Sequence, residues 1–455
     1  MEEIVALAKR RGFAYPSSQI YGGMANTWDF GHYGTLLKNN IRDWWWKRFV
    51  LLRADMVGIE ASIFLNPKVW EASGHVSSFT DALIDCKTCH LRTRADHLIE
   101  DTVKDLKVEG LSVEELDKLI HDHKICCPRC GGFTWTSARR FNLLFETSIG
   151  IIEEQKAKAY LRGEIAQGIF MNFKNVLNTM RVRIPFGIAQ QGKAFRNEIT
   201  MGQFIHRTLE FDLMEFEYFI REEMWQEQFN YWQQELWRWT TDIGIEQKNL
   251  RWREHAKHER SHYSKKTVDL EYNYPFGFKE MFAVAYRTDF DLRNHSSQSG
   301  IDLSYFDQRT NERYVPHVIE PTFGLSRLVG IILTDSYQED VIGGKKRVYL
   351  KFHPLLAPVK VAVFPLQKDE KLKNIAEKLY ENLKQEVVCE FDDSGNIGQM
   401  YRRQDEIGTP YCVTVDYQTI DDESVTLRSR NTMEQQRISL AKIKQYIMKE
   451  IGTYY

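Results

Sequence analysis

Two segments far apart in the sequence carry residue types that bind a polyphosphate. The first, AFRNEIT at 194–200, places Arg196 and Glu198 two positions apart, hence on one face if the segment is a strand. The second, VIEPTFGLSR at 318–327, ends in a glycine that opens a turn or helix, with Arg327 one turn later. Two separated arginines with carboxylates beside them suit the two ends of a triphosphate. The sequence has no GxxxxGK[ST] loop, which argues against a Walker-type nucleotide site.

The elements that must hold these residues are predicted from hydrophobic periodicity. Alternation over 184–219 indicates strands around a short loop, and alternation returns over 267–290. Apolar residues recur at helical spacing over 36–50 and 222–243, so both segments are predicted to be helices. The three tryptophans at 44–46 and the aromatic stripe of the second helix indicate core packing rather than a ligand site.

Four cysteines form two pairs with the spacing of zinc knuckles: Cys86, Cys89, Cys127 and Cys130. Such pairs bind zinc tetrahedrally as thiolates, so we predict a structural site. Two alternatives stay open, a register that uses Cys126 and a set of reduced thiols without metal. Between the pairs, SVEELDKLI at 112–120 has capping-box spacing, which predicts a helix within the long stretch of chain that separates them. Cys389 and Cys412 lie in strand-like runs and are expected in the core.

Composition sets the general class of the molecule. The 455 residues suggest two or three domains, and 43% hydrophobic with 27% charged residues is typical of a soluble globular protein. A net charge of −2 excludes a bulk polycation, so any RNA must be bound through local basic patches. The amino terminus lacks a signal-peptide pattern, and no stretch approaches a membrane span. We therefore expect a cytoplasmic protein that does not interact with membranes and whose seven cysteines are thiols or metal ligands.

A domain boundary is predicted near 340–355, where GGKKRVYLKFHP combines glycines, a basic run and a proline. Beyond it, 359–366 reads as a buried strand and 369–386 as a helix. Further strands (VVCEFDD, YCVTVD and SVTLRSR) alternate with helices around 397–407 and 439–451. Strands alternating with helices predict a small α/β domain.

Several long segments resemble one family, the glycyl-tRNA synthetases of class II in their single-chain, dimer-forming type. They are YPSSQIYGGMANTWDFGHYG (15–34), NPKVWEASGH (66–75), RADHLIED (94–101), AQGIFMNFKNVL (166–177), PFGIAQQGKAFRNEIT (185–200) and RRQDEIGTPYCVTVD (402–416). The resemblance implies an α+β fold: a class II antiparallel-sheet catalytic domain over 1–345, with a zinc-binding, helical insertion at about 85–145. It also implies an α/β anticodon-binding domain over 350–455.

The resemblance further implies an activity and its partners. Such enzymes join glycine to ATP as glycyl-adenylate, transfer it to tRNA(Gly), and use Mg²⁺ bound with ATP. A side synthesis of diadenosine polyphosphates is a further expectation. The helix and strand that end at Pro67 match motif 1, which implies a homodimer. Basic residues available for RNA are Lys345, Lys346, Arg347, Arg402, Arg403, Arg428 and Arg430, of which Arg402 and Arg403 are the favoured anticodon contacts.

The family's catalytic roles carry over to matching positions. Arg196 bridges the α-phosphate and the glycine carboxylate, and Glu198 accepts from the adenine amino group. Phe211 stacks on adenine, Arg327 holds the γ-phosphate, and Glu280 contributes Mg²⁺ and ATP contacts. The ATP-binding set implied in full is Arg196, Asn197, Glu198, His206, Arg207, Thr208, Leu209, Glu210, Phe211, Glu280, Met281, Gly324, Leu325, Ser326 and Arg327.

Glycine offers an ammonium and a carboxylate but no side chain, so its pocket needs acidic groups and a wall against larger ligands. The resemblance assigns the ammonium lining to Glu164, Glu215, Glu320 and Thr322, with Arg94 and Arg287 as further cations. The glycine-binding set implied in full is Arg94, Glu164, Phe211, Asp212, Leu213, Met214, Glu215, Arg287, Glu320, Pro321, Thr322, Phe323 and Gly324.

This chain departs from the family pattern near the site. At 162–168 it reads RGEIAQG for the usual RPETAQG, which loses a proline and adds the bulk of Ile165. Thr322 replaces the usual serine and adds a methyl group. His206 and Leu209 stand where phenylalanine and arginine are usual. Leu209 removes a cation that could hold ATP or the tRNA acceptor end, and His206 is expected to make a positive or polar contact.

Two other functions compete with this expectation. A binding protein without catalysis, similar to the processivity subunits of mitochondrial DNA polymerase, would have lost the catalytic arginines, which this chain keeps. A class II synthetase for another small amino acid is disfavoured by the glycyl-type segments and by Glu320-Pro321-Thr322.

Overall fold

The computed structural model describes residues 1–103, 106, 108, 111–151, 157–199 and 204–452. In chain order the strands are β1 (Ala14–Pro16), β2 (Trp28–Phe30), β3 (Met56–Ile59), β4 (Thr80–Asp85), β5 (Arg92–Arg94), β6 (Arg139–Asn142), β7 (Phe145–Ile149), β8 (Ala157–Leu161), β9 (Phe186–Phe195), β10 (Glu210–Ile220), β11 (Leu250–Glu254), β12 (Lys266–Tyr274), β13 (Gly277–Thr288), β14 (Tyr305–Asp307), β15 (Glu312–Tyr314), β16 (His317–Gly324), β17 (Tyr337–Ile342), β18 (Lys345–Leu350), β19 (Val361–Pro365), β20 (Cys389–Phe391), β21 (Tyr411–Val415), β22 (Ser424–Ser429) and β23 (Gln435–Ser439).

The helices are α1 (Glu2–Arg10), α2 (His32–Trp46), α3 (Pro67–Ala72), α4 (His75–Ser78), α5 (Ala95–Thr102), α6 (Val113–Asp122), α7 (Ala166–Thr179), α8 (Trp225–Asp242), α9 (Phe290–Ser299), α10 (Leu325–Asp335), α11 (Glu370–Leu383), α12 (Ile397–Ile407), α13 (Tyr417–Asp422) and α14 (Leu440–Ile451). No helix in these ranges is both long enough and apolar enough to span a membrane.

A seven-stranded sheet forms the centre of the amino-terminal part of the molecule, in the order β11–β12–β13–β16–β10–β9–β3. Neighbouring strands are antiparallel except β3, which runs parallel to β9. The predicted antiparallel sheet and α+β class are thereby confirmed. The register pairs Ala194 with Phe211 and Glu215 with Thr322, so motif-bearing strands distant in sequence lie side by side.

Strand β10 separates the aromatic core from the acidic face of the sheet. Phe216 packs on Trp232 of α8 with ring centroids 4.6 Å apart, whereas Phe219 packs on Phe173 of α7 at 4.5 Å. Because side chains alternate between faces, Glu215 and Glu217 share the face of Phe219. Both faces of this strand are buried, so carboxylates are carried into a site that little water reaches.

The predicted helices are confirmed with shifted ends. Helix α2 begins at His32, before the predicted 36, and continues through a π-helical turn, Lys47–Leu51. Helix α8 begins at Trp225 because Glu222–Met224 form a 3-10 turn. The apolar stripe of α8 is core as predicted, and Trp232 and Trp239 are fully buried.

The predicted insertion folds as a three-stranded sheet, β5–β4–β6, covered by α5 and α6. The capping box at the start of α6 is confirmed, since the Ser112 hydroxyl accepts from the Glu115 N–H and the Glu115 carboxylate accepts from the Ser112 N–H. Leu116 and Ile120 of this helix then pack into a small separate core. This core holds the two cysteine-bearing turns on either side of α6.

The carboxyl-terminal part is an α/β unit with strand order β20–β19–β21–β22–β23. Strands β20, β19 and β21 are parallel, and β22 and β23 continue the sheet antiparallel. The predicted strands and helices are confirmed here, but α13 and β23 are additions. Both are short and largely exposed, so neither leaves a periodic apolar signal.

The predicted boundary region is a β-hairpin rather than an irregular linker. Strands β17 and β18 pair from Tyr337↔Leu350 to Ile342↔Lys345. Arg347 on β18 is fully buried and donates through Nε to Asp405 of α12 at 2.7 Å. The hairpin therefore joins the two halves of the molecule, and the division at 345–350 stays a prediction.

Three of the basic residues expected to be available for RNA are in fact structural. Arg347, Arg428 and Arg430 are buried: Asp405 receives the first two, and Arg430 donates to the backbone carbonyl of Phe352 at 2.7 Å. A buried arginine persists where such partners satisfy its donors, so these side chains do not form a basic surface.

The two favoured RNA contacts lie nearer the surface. Arg403 is paired with Asp392, and Arg402 donates to the Lys346 carbonyl at 2.6 Å. Their role in anticodon binding stays a prediction.

Candidate active site

The strand–loop–strand of β9 and β10 positions the first arginine. Arg196 follows β9, and its Nε donates to the Gly163 carbonyl at 3.0 Å. The guanidinium carbon lies 5.1 Å from the ring centroid of Phe79 and 5.4 Å from that of Phe211. Aromatic faces favour a cation there and leave its other donors directed at the cavity. Glu198, two residues on, accepts from Arg207 Nε at 2.8 Å.

The second arginine stands in the first turn of α10. Arg327 pairs with Glu280 of β13, with Nη1 and Oε1 3.0 Å apart, and also donates to the Glu280 carbonyl at 3.1 Å. Burial raises the pKa of Glu280, but the charge and hydrogen bond of Arg327 outweigh it and hold that pKa below its usual value. The Glu280 carboxylate is therefore ionised at neutral pH. About half of its side chain is exposed, so a cation in the cavity can reach it.

A cavity of about 200 Å³ lies between these two arginines. Its lining residues come from β10, β13, β16, α10 and the loop before β10: Arg196, Glu198, Ile205, His206, Arg207, Thr208, Phe211, Asp212, Leu213, Glu280, Thr322, Gly324, Ser326 and Arg327. Most of the predicted ATP-binding set therefore converges here. The lining ends next to Glu215, whose carboxylate accepts from the Thr322 hydroxyl at 3.1 Å.

Some predicted ATP-binding residues lie elsewhere. Asn197 and Leu209 line a neighbouring cleft of about 340 Å³ with Arg129 of the insertion. Met281 and Leu325 are buried core residues, and Glu210 is exposed beside Lys193. Strand alternation turns Met281 away from the side of Glu280.

His206 is not the positive contact that the sequence suggested. Its side chain is buried against Gly330 of α10 and the rings of Tyr274 and Phe276. Burial, reinforced by the charge of Arg327, lowers the pKa of His206 to about 3. The imidazole is thus neutral, and neither ring nitrogen has a partner among the described residues. Aromatic packing explains why phenylalanine is usual at this position.

A cluster of buried acidic side chains, the acidic pocket, lies beside the cavity and consists of Glu164, Glu215, Glu217, Asp291 and Glu320. Arg287 is fully buried, donates to Glu320 at 2.6 Å, and forms a two-bond pair with Asp291 at 2.8 and 2.9 Å. Its Nη2 lies 3.8 Å from Glu164, which is also 3.2 Å from Nε2 of His75. Arg287 therefore neutralises carboxylates instead of pointing at a ligand, and within the described residues no ion pair joins Glu215 to a cation.

The carboxyl groups of this pocket have divergent proton affinities. Burial raises the pKa of Glu215 well above its usual range, and the charges of Glu320 and Glu164 raise it further. Burial also raises the pKa of Glu320 to about 7, despite Arg287. Glu164 is the opposite case: His75 and Arg287 outweigh burial and lower its pKa. A buried cation such as an ammonium group would offset this excess of acidic groups.

Other members of the predicted glycine-binding set fall into three groups. Asp212, Leu213, Thr322, Gly324 and Phe211 line the cavity. The side chains of Met214 and Phe323 lie in the aromatic core on the opposite face, and Pro321 is buried in β16. Arg94 is paired with Asp81 and Asp96, away from the acidic pocket.

Sequence reasoning missed three residues of the acidic pocket: Glu217, Asp291 and His75. Glu217 could have been found, because it follows Glu215 by two positions on a predicted strand. Asp291 follows Arg287 by four positions, but only helix α9 brings the pair together. His75 stands in a segment already singled out, yet its contact with Glu164 is a tertiary one.

The four predicted cysteines converge at the edge of the insertion. Their sulfur atoms all lie within 4.8 Å of one another, with Cys86 to Cys130 at 3.7 Å and Cys89 to Cys127 at 3.5 Å. A tetrahedral zinc with Zn–S bonds of about 2.3 Å needs sulfurs ~3.8 Å apart, so the set fits. Cys126 is exposed and outside the cluster, which disfavours the alternative register.

Comparison with known proteins gives consistent results over the whole chain. Residues 145–336 match the family described as tRNA synthetase class II core domain (G, H, P, S and T), and residues 360–450 match the anticodon binding domain family. A glycine–tRNA ligase of Caldanaerobacter subterraneus is 51% identical, covering 99% of this chain and 98% of its own. Those of Acetivibrio thermocellus (51%; 98% and 97%) and Geobacillus kaustophilus (48%; 99% and 99%) are similar over comparable lengths.

Proposed function

Because this chain belongs to the glycine–tRNA ligases, a family of class II aminoacyl-tRNA synthetases, we propose that it activates glycine in the cavity between Arg196 and Arg327. The enzyme is a tRNA ligase, and tRNA and glycine are its partners. The finer proposal is that glycyl-adenylate forms here and that glycine then passes to the 3′ end of tRNA(Gly). Family membership sets aside both the non-catalytic alternative and a synthetase for another amino acid.

The proposal depends on one observation: Arg196, Arg327 and Thr322 line one cavity, and Thr322 donates a hydrogen bond to Glu215 of the acidic pocket. Glycine with its ammonium at Glu215 and Glu320 has its carboxylate directed toward Arg196. ATP lying from Phe211 to Arg327 presents its α-phosphate to the same arginine. The substrate carboxylate is already a nucleophile, so no general base is needed. Positioning and neutralisation of phosphate charge supply the catalysis.

The side chains present also fit Mg²⁺. The ionised, half-exposed Glu280 beside Arg327 offers a carboxylate ligand at the phosphate end of the cavity. Bound there, Mg²⁺ would neutralise charge on the pyrophosphate that leaves. Class II synthetases in general use ATP with this ion.

Four further features belong to the proposal. Zinc at the cysteine cluster is supported by the sulfur geometry. A homodimer is supported by the motif 1 resemblance and by exposed Leu51 and Leu52 at the end of that helix. Cytoplasmic location rests on the family's role in translation. A side synthesis of diadenosine polyphosphates would use a second ATP to attack the adenylate.

Glycine-dependent ATP–pyrophosphate exchange without tRNA tests the proposal, with alanine and serine as controls. We expect exchange with glycine and none with the larger amino acids, because the side chains that line the acidic pocket, Glu215, Glu320 and Arg287, are buried. Absence of exchange with every amino acid, together with failure to charge added tRNA, would refute the proposed activity.

A further inference from the structure

Glu217 is a buried carboxyl group to which the activation mechanism gives no role. It is fully enclosed, and neither of its oxygens has a hydrogen-bond partner among the described residues. Its carboxyl group forms a cluster with those of Glu215 and Glu320, in which one oxygen of each lies within 4.8 Å of the other two. An unpaired carboxylate in such a place would be costly, so the group needs a partner or a proton.

The charges around the cluster favour a proton on Glu217. Glu320 faces it from β16, Arg287 from β13, Asp291 from α9 and Glu215 from β10 itself. Arg287 is committed to Asp291 and Glu320, and the Thr322 hydroxyl to Glu215. Carboxyl groups therefore outnumber cations in this cluster, and no donor from the described residues reaches Glu217. A substrate ammonium adds one positive charge, and the carboxyl groups of Glu215 and Glu320 are sufficient to neutralise it.

We propose that Glu217 is a positioning residue for glycine: an un-ionised carboxyl group that donates a hydrogen bond to the Glu215 carboxylate when the substrate ammonium occupies the pocket. This inference rests on the proposed function, since it needs glycine at Glu215. The cluster is already close enough for a small side-chain rotation to make the bond. Hydrogen bonds of this kind often form fully only in the substrate complex.

The proton affinities of the cluster agree with this role. Burial raises the pKa of Glu217 well above its usual range, and the charge of Glu320 raises it further. A carboxylic acid kept neutral in an enclosed site is an effective hydrogen-bond donor, whereas a second carboxylate would repel Glu215. Gln is then the conservative replacement, because its amide keeps a donor and cannot ionise.

The test is the KM for glycine in ATP–pyrophosphate exchange by the full chain, measured for Glu217→Gln and Glu217→Met. We expect Glu217→Gln to raise KM by about threefold, because the amide keeps a donor but changes its geometry. Glu217→Met should raise KM by about tenfold or more, because a hydrogen bond to a charged group is lost, and kcat should change less in both variants. Glu235→Gln, a buried carboxyl on α8 outside the pocket, is the matched control.

Two outcomes of the comparison between Gln and Met would overturn the inference. If Gln is as damaging as Met, Glu217 acts as a charge rather than as a donor. If Met is tolerated, the residue fills space.

Should Glu217→Met fail to fold, the pH dependence of KM in Glu217→Gln decides alone. With Glu217 never ionised, the profiles of the variant and the unaltered enzyme between pH 6 and pH 8.5 run parallel. A changed shape would contradict the proposal.

Failure of this inference is distinguishable from failure of the proposed function. Glu215→Gln should raise the KM for glycine more than either change at Glu217, since it removes the charge that meets the ammonium. If Glu215→Gln leaves KM unaltered, glycine is not bound at Glu215 and the proposed site is wrong. If it raises KM while both Glu217 variants behave as the unaltered enzyme, only the inference fails.

Discussion

At the scale of single residues, the positions of a few charged side chains define the site. Arg196 and Arg327 stand at the two ends of a small cavity, and aromatic faces or a carboxylate fix each of them. Arg287 shows the converse use of the same residue type. Buried among Asp291, Glu320 and Glu164, it offsets their charge and so makes an acidic pocket possible.

Arg196 provides the sharpest test at this scale. Arg196→Ala should reduce glycine-dependent ATP–pyrophosphate exchange by at least about a hundredfold, because the α-phosphate loses a preorganised donor. Arg196→Lys should retain more activity, since it keeps the charge and loses the planar fork. Arg183→Ala, at an exposed position, serves as the control. Near-normal exchange by a folded Arg196→Ala protein would show that this arginine does not hold the phosphate.

The pH dependence of glycine binding also belongs to this scale. Glu320, with a pKa of about 7, and Glu215, with a pKa raised well above its usual range, are protonated at low pH. A protonated carboxyl attracts an ammonium less, so the KM for glycine should fall as pH rises from 6 to 8. Initial exchange rates at varied glycine concentration measure this. A KM that is constant or rises over that interval would contradict the assigned ammonium site.

At the scale of elements, strands and short turns set which side chains meet. The alternation of β10 directs Glu215 to one face and Phe216 to the core. The two cysteine-bearing turns are joined by backbone contacts, a Lys87 N–H to Thr134 carbonyl hydrogen bond and a β-bridge between Cys86 and Trp135. The loop between β9 and β10 presents His206 to the cavity and Leu209 to a separate cleft.

The cysteine cluster yields a prediction with a built-in control. Purified protein should contain about one zinc per chain if the four thiolates converge as the geometry indicates. Cys127→Ser should lose the metal and expose the insertion to proteolysis, because its small core depends on that anchor. Cys126→Ser, one residue away and exposed, should retain both metal and resistance. A stable protein without metal, or equal behaviour of the two variants, would rule out a structural zinc site.

The position of Leu209 in the loop between β9 and β10 leads to a second prediction at the scale of elements. Leu209 lines the cleft shared with Arg92 and Arg129, not the nucleotide cavity. Leu209→Arg should therefore lower the KM for tRNA by about threefold, the effect of one added phosphate contact, and change the KM for ATP less. Aminoacylation and exchange kinetics separate the two constants. A larger change in the KM for ATP than in the KM for tRNA would show that residue 209 faces the nucleotide cavity and not the cleft.

At the scale of the whole molecule, the two halves share one continuous hydrophobic core. Leu350 and Phe352 join the aromatic core of the sheet to Val361 and Val363 of the carboxyl-terminal unit. The β17–β18 hairpin adds a buried ion-pair network, in which Arg347 contacts Asp340 and Asp405. The halves are thus packed against each other rather than connected by a free linker.

This network predicts how the halves depend on each other. Arg347→Met should lower the free energy of unfolding by about 3 kcal/mol, because it leaves buried carboxylates short of a partner. Lys345→Met, exposed on the same strand, should have little effect. Urea unfolding monitored by tryptophan fluorescence measures both. Equal stability of the two variants would show that the buried pair does not hold the hairpin to α12.

The sequence by itself determined most of the elements and the family. Caps such as Ser112 with Glu115, the stripe of α8 and the alternation of β10 are local signals, because hydrogen bonding and periodicity act over a few residues. Arg196, Glu198, Phe211 and Arg327 could be predicted to lie together because their motifs are long, and they line one cavity. The four cysteines were found because metal ligands need fixed spacing.

Only the tertiary structure decided which charged and titratable side chains are buried and which of them are ionised. Arg347, Arg428 and Arg430 read as a basic surface in the sequence, yet each is enclosed with partners from other elements. His206 reads as a polar contact, yet burial makes it neutral. The proton affinity of a group depends on its distance from water and from charges brought by other strands and helices. Those distances are set by the fold, so the chemistry of the acidic pocket could not be read along the chain.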